Sequence, residues 1–71
     1  MFKKIAIVGL GLMGGSLAAA CRKHFPKARI VGISRSREAL KLALRKSWVH
    51  EATRDVRLGA AGADLVVLCT P

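Results

Sequence analysis

Carboxylates are scarce in this chain: four Asp and Glu stand against thirteen Lys and Arg in 71 residues, a formal net charge of +9. Aromatics are nearly as rare, with no Tyr, one Trp and two Phe. Such a positive excess permits nucleic-acid or membrane binding. Its layout speaks against both. The basic residues are scattered from Lys3 to Arg57 without a run of five or six, and the few aromatics are not interleaved with them in a way that could stack bases. A mostly solvated basic face is expected, with one or two cations serving a local anion. Neither a nucleic-acid nor a membrane partner is anticipated.

Cysteine is limited to Cys21 and Cys69, each at the end of an apolar stretch (Ala18-Ala19-Ala20-Cys21 and Val66-Val67-Leu68-Cys69). Without a CxxC pair or a Cys/His spacing, neither a zinc site nor a disulfide is indicated, and the thiols read as small buried hydrophobes in a reducing compartment. No metal site is expected. No stretch reaches the ~20 apolar residues that a membrane-spanning helix requires. Met1-Phe2-Lys3-Lys4 and the uncharged run from Ile5 to Cys21 do imitate a secretory leader, and Leu17 to Cys21 imitates a lipoprotein cleavage site. Gly9, Gly11, Gly14 and Gly15 interrupt that run, so it makes a poor continuous helix. A cytoplasmic location is expected.

What is abundant is aliphatic: 52% of the residues are hydrophobic, chiefly Ala, Leu, Val and Ile, as suits a packed α/β core. A doubly wound nucleotide-binding domain needs about twice this length. Residues 1–71 are therefore read as the N-terminal part of such a domain, a fragment whose remaining strands cover apolar surface.

Lys3 to Val8 is a short β-branched run closed by glycine and reads as a fully buried parallel strand. From Met13 the spacing turns helical, with Met13, Leu17, Ala20, Cys21 and His24 on one face, until Pro26 stops the helix near Phe25. Arg29–Ile33 is a second strand. Ser36 offers an N-cap for a second helix with Ala39, Leu40, Ala43, Leu44 and Ser47 on one face. Trp48 to Thr53 has room for a short edge strand, and Asp55 to Ala63, with two glycines, for at most a short helix. Asp64 to Cys69 is the clearest strand. The order βαβα(β)αβ indicates a parallel sheet with right-handed crossovers.

Chemistry enters at Gly9-Leu10-Gly11-Leu12-Met13-Gly14. A GxGxxG alone is weak, but here it directly follows a strand and opens a helix, the context that gives it a mechanism. Gly9 permits the tight turn, Gly11 lets a pyrophosphate reach the backbone, and Gly14 lets helix and strand pack closely. Amides at the helix start, including those of Leu10, Leu12 and Met13, then hold the phosphates. Ser16 either adds a hydroxyl hydrogen bond or caps the first turn. The fold class expected is α/β, a Rossmann-type parallel sheet forming the N-terminal half of a dinucleotide-binding domain.

The second diagnostic position follows the second strand, about 20 residues past the glycines, where NAD sites carry Asp or Glu for the ribose 2′-hydroxyl. This chain has Ser34-Arg35-Ser36-Arg37 there, and its first acid is Glu38. Serine and arginine suit a 2′-phosphate that a carboxylate would repel. NADP is therefore the expected cofactor, with NAD the alternative. Arg35 is assigned to the 2′-phosphate, with Ser34 assisting and Arg37 a further helper; the competing reading is solvated arginines at a helix start. Thr70 and Pro71, after the last strand, either touch the ribose or nicotinamide half or form a plain turn. His50 reads as a solvated surface residue without a carboxylate to orient it, and Trp48 as a core or lid residue. No catalytic residue is assigned within residues 1–71.

The run Ile5-Ala6-Ile7-Val8-Gly9-Leu10-Gly11-Leu12-Met13-Gly14-Gly15-Ser16-Leu17-Ala18 resembles the opening of prephenate and arogenate dehydrogenases. Ile30 to Arg35, Glu51-Ala52-Thr53 and Ala63 to Pro71 resemble the same family, so the likeness covers essentially the whole chain. The double glycine followed by serine separates it from hydroxyisobutyrate and phosphogluconate dehydrogenases. The resemblance implies tyrosine biosynthesis. Hydride passes from prephenate to NAD(P)+ with oxidative decarboxylation to 4-hydroxyphenylpyruvate, or arogenate gives tyrosine. It also implies a homodimer formed through a helical C-terminal domain and a catalytic histidine in a later His-Pro segment, which neither His24 nor His50 matches. Trp48 and His50 depart from the Gly and Asp often found before Glu-Ala-Thr, and Gly59 weakens the third helix. Another GxGxxG dehydrogenase or reductase acting on a hydroxy acid or imine, a non-catalytic nucleotide-sensing module and a secreted lipoprotein fragment are the competing readings.

Overall fold

The apolar run that begins at Lys4 becomes an inner strand of a four-stranded parallel sheet. The computed structural model describes residues 2–9 and 11–69, with backbone alone for Leu12 and Met13. Its elements are β1 (Lys4–Val8), α1 (Leu12–His24), β2 (Arg29–Ile33), α2 (Arg37–Arg45), β3 (Glu51–Thr53), α3 (Val56–Ala60) and β4 (Leu65–Leu68), and the strand order is β3-β2-β1-β4. Lying between two strands with helices over it, β1 buries Ile5, Ala6 and Ile7 completely. Ile5, Ile7, Ile30 and Ile33 are the largest fully buried side chains. Each contributes roughly 1.5–3 kcal/mol by leaving water. The run that imitates a leader is thus strand, turn and helix, with its first part at the centre of the sheet. Among the described residues, no helix is long and apolar enough to cross a membrane.

Helix α1 ends as the sequence predicts. The Phe25 amide donates to the Cys21 carbonyl, Pro26 follows, and Arg22, Lys23 and His24 occupy the negative end of the helix dipole. Its buried face differs from expectation: Gly14, Gly15, Ala18 and Cys21 are buried, whereas Ala20 and His24 are exposed. Small residues are the ones that face inward because the helix lies close to the sheet and to Trp48. Cys21 and Cys69 are both free thiols, Cys21 buried and Cys69 partly so, and burial pushes the Cys21 thiol up.

Ser36 caps α2, its Oγ accepting from the Ala39 amide at 3.2 Å. Such a cap is worth about 1 kcal/mol. Leu40 and Ala43 are buried beneath the helix, but Leu44 is exposed and Ser47 lies beyond the helix end in the left-handed region at φ 58°. The helix stops two residues short of the predicted face because the chain reverses there, the Trp48 amide donating to the Ala43 carbonyl. Arg22 holds the reversal by donating to the Ser47 carbonyl at 2.6 Å. Trp48 is accordingly a core residue, packed against the principal cluster.

His50 is exposed, as expected, and it also takes a structural role. Its Nδ1 accepts from the Ile30 amide at 2.9 Å, and its own amide donates to the Ile30 carbonyl at 2.8 Å. The imidazole thus stands in for a strand partner just before β3 begins. Burial, then the nearby cations Arg22 and Arg29, lower its pKa below 6.5 despite an opposing pull from Glu51. At the far side of the sheet, Asp64 ties β4 to β1. Its Oδ2 accepts from the Lys3 and Lys4 amides at 2.7 and 3.0 Å, which holds its carboxyl below the usual range.

Candidate functional site

All strands being parallel, their carboxyl ends share one rim of the sheet, where β1, β2, β3 and β4 are followed by Gly9, Ser34, Arg54 and Cys69. Gly9 turns the chain with φ 92°, a conformation that side chains disfavour, and its amide donates to the Ile33 carbonyl at 2.8 Å. The Gly11 amide donates back to the Gly9 carbonyl at 2.9 Å, completing the turn into α1.

The glycines after that turn serve different needs. Gly11 is the N-cap of α1 and has extended backbone (φ −90°, ψ −159°); among the described residues, a Cβ placed there meets nothing within 4 Å. Gly14 is closed in, because a Cβ there would lie 2.2 Å from the Gly9 carbonyl oxygen. At Gly15 a Cβ would lie 2.7 Å from the Trp48 ring. Helix α1 is thus pressed onto the turn by Gly14 and onto the indole by Gly15, while none of the described residues closes the space in front of Gly11.

The N-cap Gly11 makes no side-chain cap hydrogen bond, and the first turn of α1 carries no acid. The first amides of any helix lack intrahelical acceptors, and together with the dipole they favour an anion. The open Gly11 gives a phosphate group access to them, so these residues fit a dinucleotide. Ser16, exposed and well inside α1, is not the cap; Gly11 is.

Beside the turn, Val8, Gly9, Ile33, Ser34, Arg35, Arg54 and Val56 line a cleft of about 330 Å³. Gly9, Ser34 and Arg35 are therefore brought together as the sequence predicts. Ser34 Oγ accepts from the Ser36 amide at 3.1 Å and keeps its hydrogen for donation outward. Arg37 does not join them: it opens α2, exposed, and is absent from the lining. The α2 cap turns the chain away before that residue. Leu10, Thr70 and Pro71 lie outside the described residues, as do the side chains of Leu12 and Met13.

Arg54 is the lining residue that sequence reasoning missed. Its signal was present: it directly follows Thr53, the last residue of the edge strand, and so exits on the same rim as Ser34. A larger hollow of about 380 Å³, lined by Phe2, His24, Phe25, Pro26, Lys27 and Ala28, adjoins the amino end of β2 and is remote from the glycine turn.

Residues 3–71 match the model of the oxidoreductase family with an NAD-binding Rossmann fold. Over 67 residues the chain is 37% identical to a prephenate dehydrogenase of Bacillus subtilis, a match covering 94% of the chain and 18% of that enzyme. A solved Synechocystis arogenate dehydrogenase superposes with a TM-score of 0.86 at 38% identity, covering 96% of this chain and 23% of that one. Prephenate dehydrogenase from A. aeolicus, solved with hydroxyphenyl propionate and NAD+, superposes with a TM-score of 0.88 at 29% identity over 100% of this chain and 25% of that one. The chain thus spans a quarter or less of the length of these relatives.

Proposed function

Since the chain belongs to the NAD-binding Rossmann-fold oxidoreductases and, within them, to the prephenate/arogenate dehydrogenase family, we propose that it is the N-terminal cofactor-binding portion of a dehydrogenase of tyrosine biosynthesis. The substrate is prephenate or its aminated analogue arogenate, and the preferred cofactor is NADP+. When bound, the nicotinamide accepts the hydride that accompanies oxidative decarboxylation. The residues described here bind and orient the cofactor. Catalytic and substrate-binding groups, and the contacts of a homodimer, belong to segments beyond residue 71.

One observation carries this reading: Gly11 is spared a side chain at a place where neither its backbone angles nor any of the described residues around it demands it. A ligand that must touch the backbone supplies the reason. The Ser34–Arg35 side of the cleft supports NADP+, with a hydroxyl and a guanidinium where an NAD site carries an acid. Leu68 and Val66 on the β4 edge, 71% and 44% exposed, support further strands and helices covering that side.

The test is a titration of the full-length protein, with the segments that follow residue 71, against NADP+ and NAD+, followed by an assay for 4-hydroxyphenylpyruvate from prephenate and tyrosine from arogenate. NADP+ is expected to bind more tightly, and one of the two substrates to be turned over. Arg35→Ala raises the KM for NADP+ much more than that for NAD+. Equal effects on both cofactors contradict the 2′-phosphate assignment.

A further inference from the structure

Arg54 shares a cleft with Arg35, and the strand pairing explains how they meet. Ile33 and Thr53 are register partners, and the Ser34 amide donates to the Thr53 carbonyl at 3.2 Å. Adjacent parallel strands lie about 4.8 Å apart. Arg35 and Arg54 therefore leave the sheet from neighbouring strands, immediately past a hydrogen-bonded pair of strand ends.

Among the described residues, no carboxylate lines this cleft. Three of the four acids are engaged elsewhere: Glu51 pairs with Arg29 at 3.2 Å, Asp64 accepts the Lys3 and Lys4 amides, and Asp55 caps α3 through the Leu58 amide. Glu38 lies in the first turn of α2. Neither Arg35 nor Arg54 makes an ion pair among the described residues. Two like charges converging on one cleft without a counter-charge repel each other, and a dianion between them reverses the sign of that interaction. The cleft lining includes the apolar side chains of Val8, Ile33 and Val56, so the anion fits best as part of a ligand with an apolar face.

We infer that Arg54 is a second specificity-determining cation for the ribose 2′-phosphate, gripping it from the β3 side while Arg35 grips it from the β2 side. This rests on the proposed cofactor reading. The 2′-phosphate is then recognised by two strands, and the sequence signal for NADP+ lies after Glu51-Ala52-Thr53 as well as after β2.

The experiment measures binding to the full-length protein by calorimetry, with NADP+, NAD+, 2′,5′-ADP and 5′-AMP as probes, for wild type, Arg54→Ala, Arg54→Lys, Arg35→Ala and Gly11→Val. Circular dichroism confirms that each variant folds. Arg54→Ala is expected to weaken NADP+ and 2′,5′-ADP roughly tenfold, as for one lost charge-assisted hydrogen bond, while NAD+ and 5′-AMP change less than about twofold. Arg54→Lys falls between, keeping the charge and losing the planar fork. If Arg54→Ala affects all four probes alike, or none, while Arg35→Ala still discriminates, the role of Arg54 is overturned and the cofactor site stands. If Gly11→Val also leaves every affinity unchanged, the cofactor reading itself falls, and the Arg54 assignment with it.

Discussion

Gly11 and Gly14 are three residues apart in one motif, yet they answer to different partners. Gly14 is needed by the protein: a side chain there would collide with the backbone carbonyl of Gly9. Gly11 is not needed by any of the described residues, since its φ is negative and a Cβ there meets none of them within 4 Å. Packing fixes how α1 sits on the sheet, and the opening that results is reserved for a ligand. Stability and binding are therefore separable within a few residues, and substitutions on either side of the divide should report different quantities.

The largest expected effect is on the packing side. Gly14→Val places its Cβ against a main-chain oxygen that no rotamer change can move, and should cost about 3 kcal/mol or more, the upper end for overpacked sites. A chain of this size is unfolded or badly frayed by that amount. Denaturant melts that match wild type would contradict the close contact. Gly15→Ala comes next, at about 1–3 kcal/mol, because the Trp48 ring has to shift and its cluster with it. Trp48 fluorescence should change in this variant; an unchanged spectrum and melting point would mean that the indole does not lie there.

Gly59→Ala sharpens the comparison, because two terms oppose. Alanine favours the helix by about 1 kcal/mol. A Cβ there would lie 2.5 Å from Ile33 side-chain atoms and 2.9 Å from Thr53 Cγ2, in a fully packed place. Overpacking wins, and a net loss of about 1 kcal/mol is expected. A stabilised variant would show instead that α3 lifts off the sheet freely.

The smallest effect is a pH dependence. His50 is neutral when its Nδ1 accepts from the Ile30 amide, and its pKa in the folded chain is lowered from 6.5. The unfolded chain therefore takes up the proton first, so the contribution is complete above about pH 6.5 and is lost as pH falls from there through the folded value. His50→Asn offers an acceptor that does not titrate in this range, and should flatten that part of a melting-temperature profile. An unaltered slope would remove the imidazole from the account.

Much of this was legible in the sequence, for local reasons. The β2 boundaries, the Ser36 cap, the end of α1 near Phe25 and the glycine turn are set by residues whose own chemistry decides them. Contacts between distant elements were less readable. The buried side of α1 runs through glycines and alanines because the helix lies close to the sheet, whereas apolar spacing pointed to Ala20 and His24. Gly59 looked like a helix breaker, but it is where α3 rests on Ile33 and Thr53. The hydrogen-bonding role of His50 was hidden because nothing near it in sequence discloses the Ile30 amide, twenty residues away. Arg54 was passed over because its meaning depends on which strand lies next to β2.

The most direct test of the central claim is Gly11→Ala, read by thermal melting and NADP+ titration on the same sample. Replacing glycine at an N-cap is unfavourable, whereas restricting the unfolded chain is favourable by about 0.4–1 kcal/mol; the two roughly offset. Stability within about 1 kcal/mol of wild type, together with a large loss of affinity for both NADP+ and NAD+, is the predicted result. Undiminished binding would contradict the claim that the backbone at Gly11 is where the diphosphate sits.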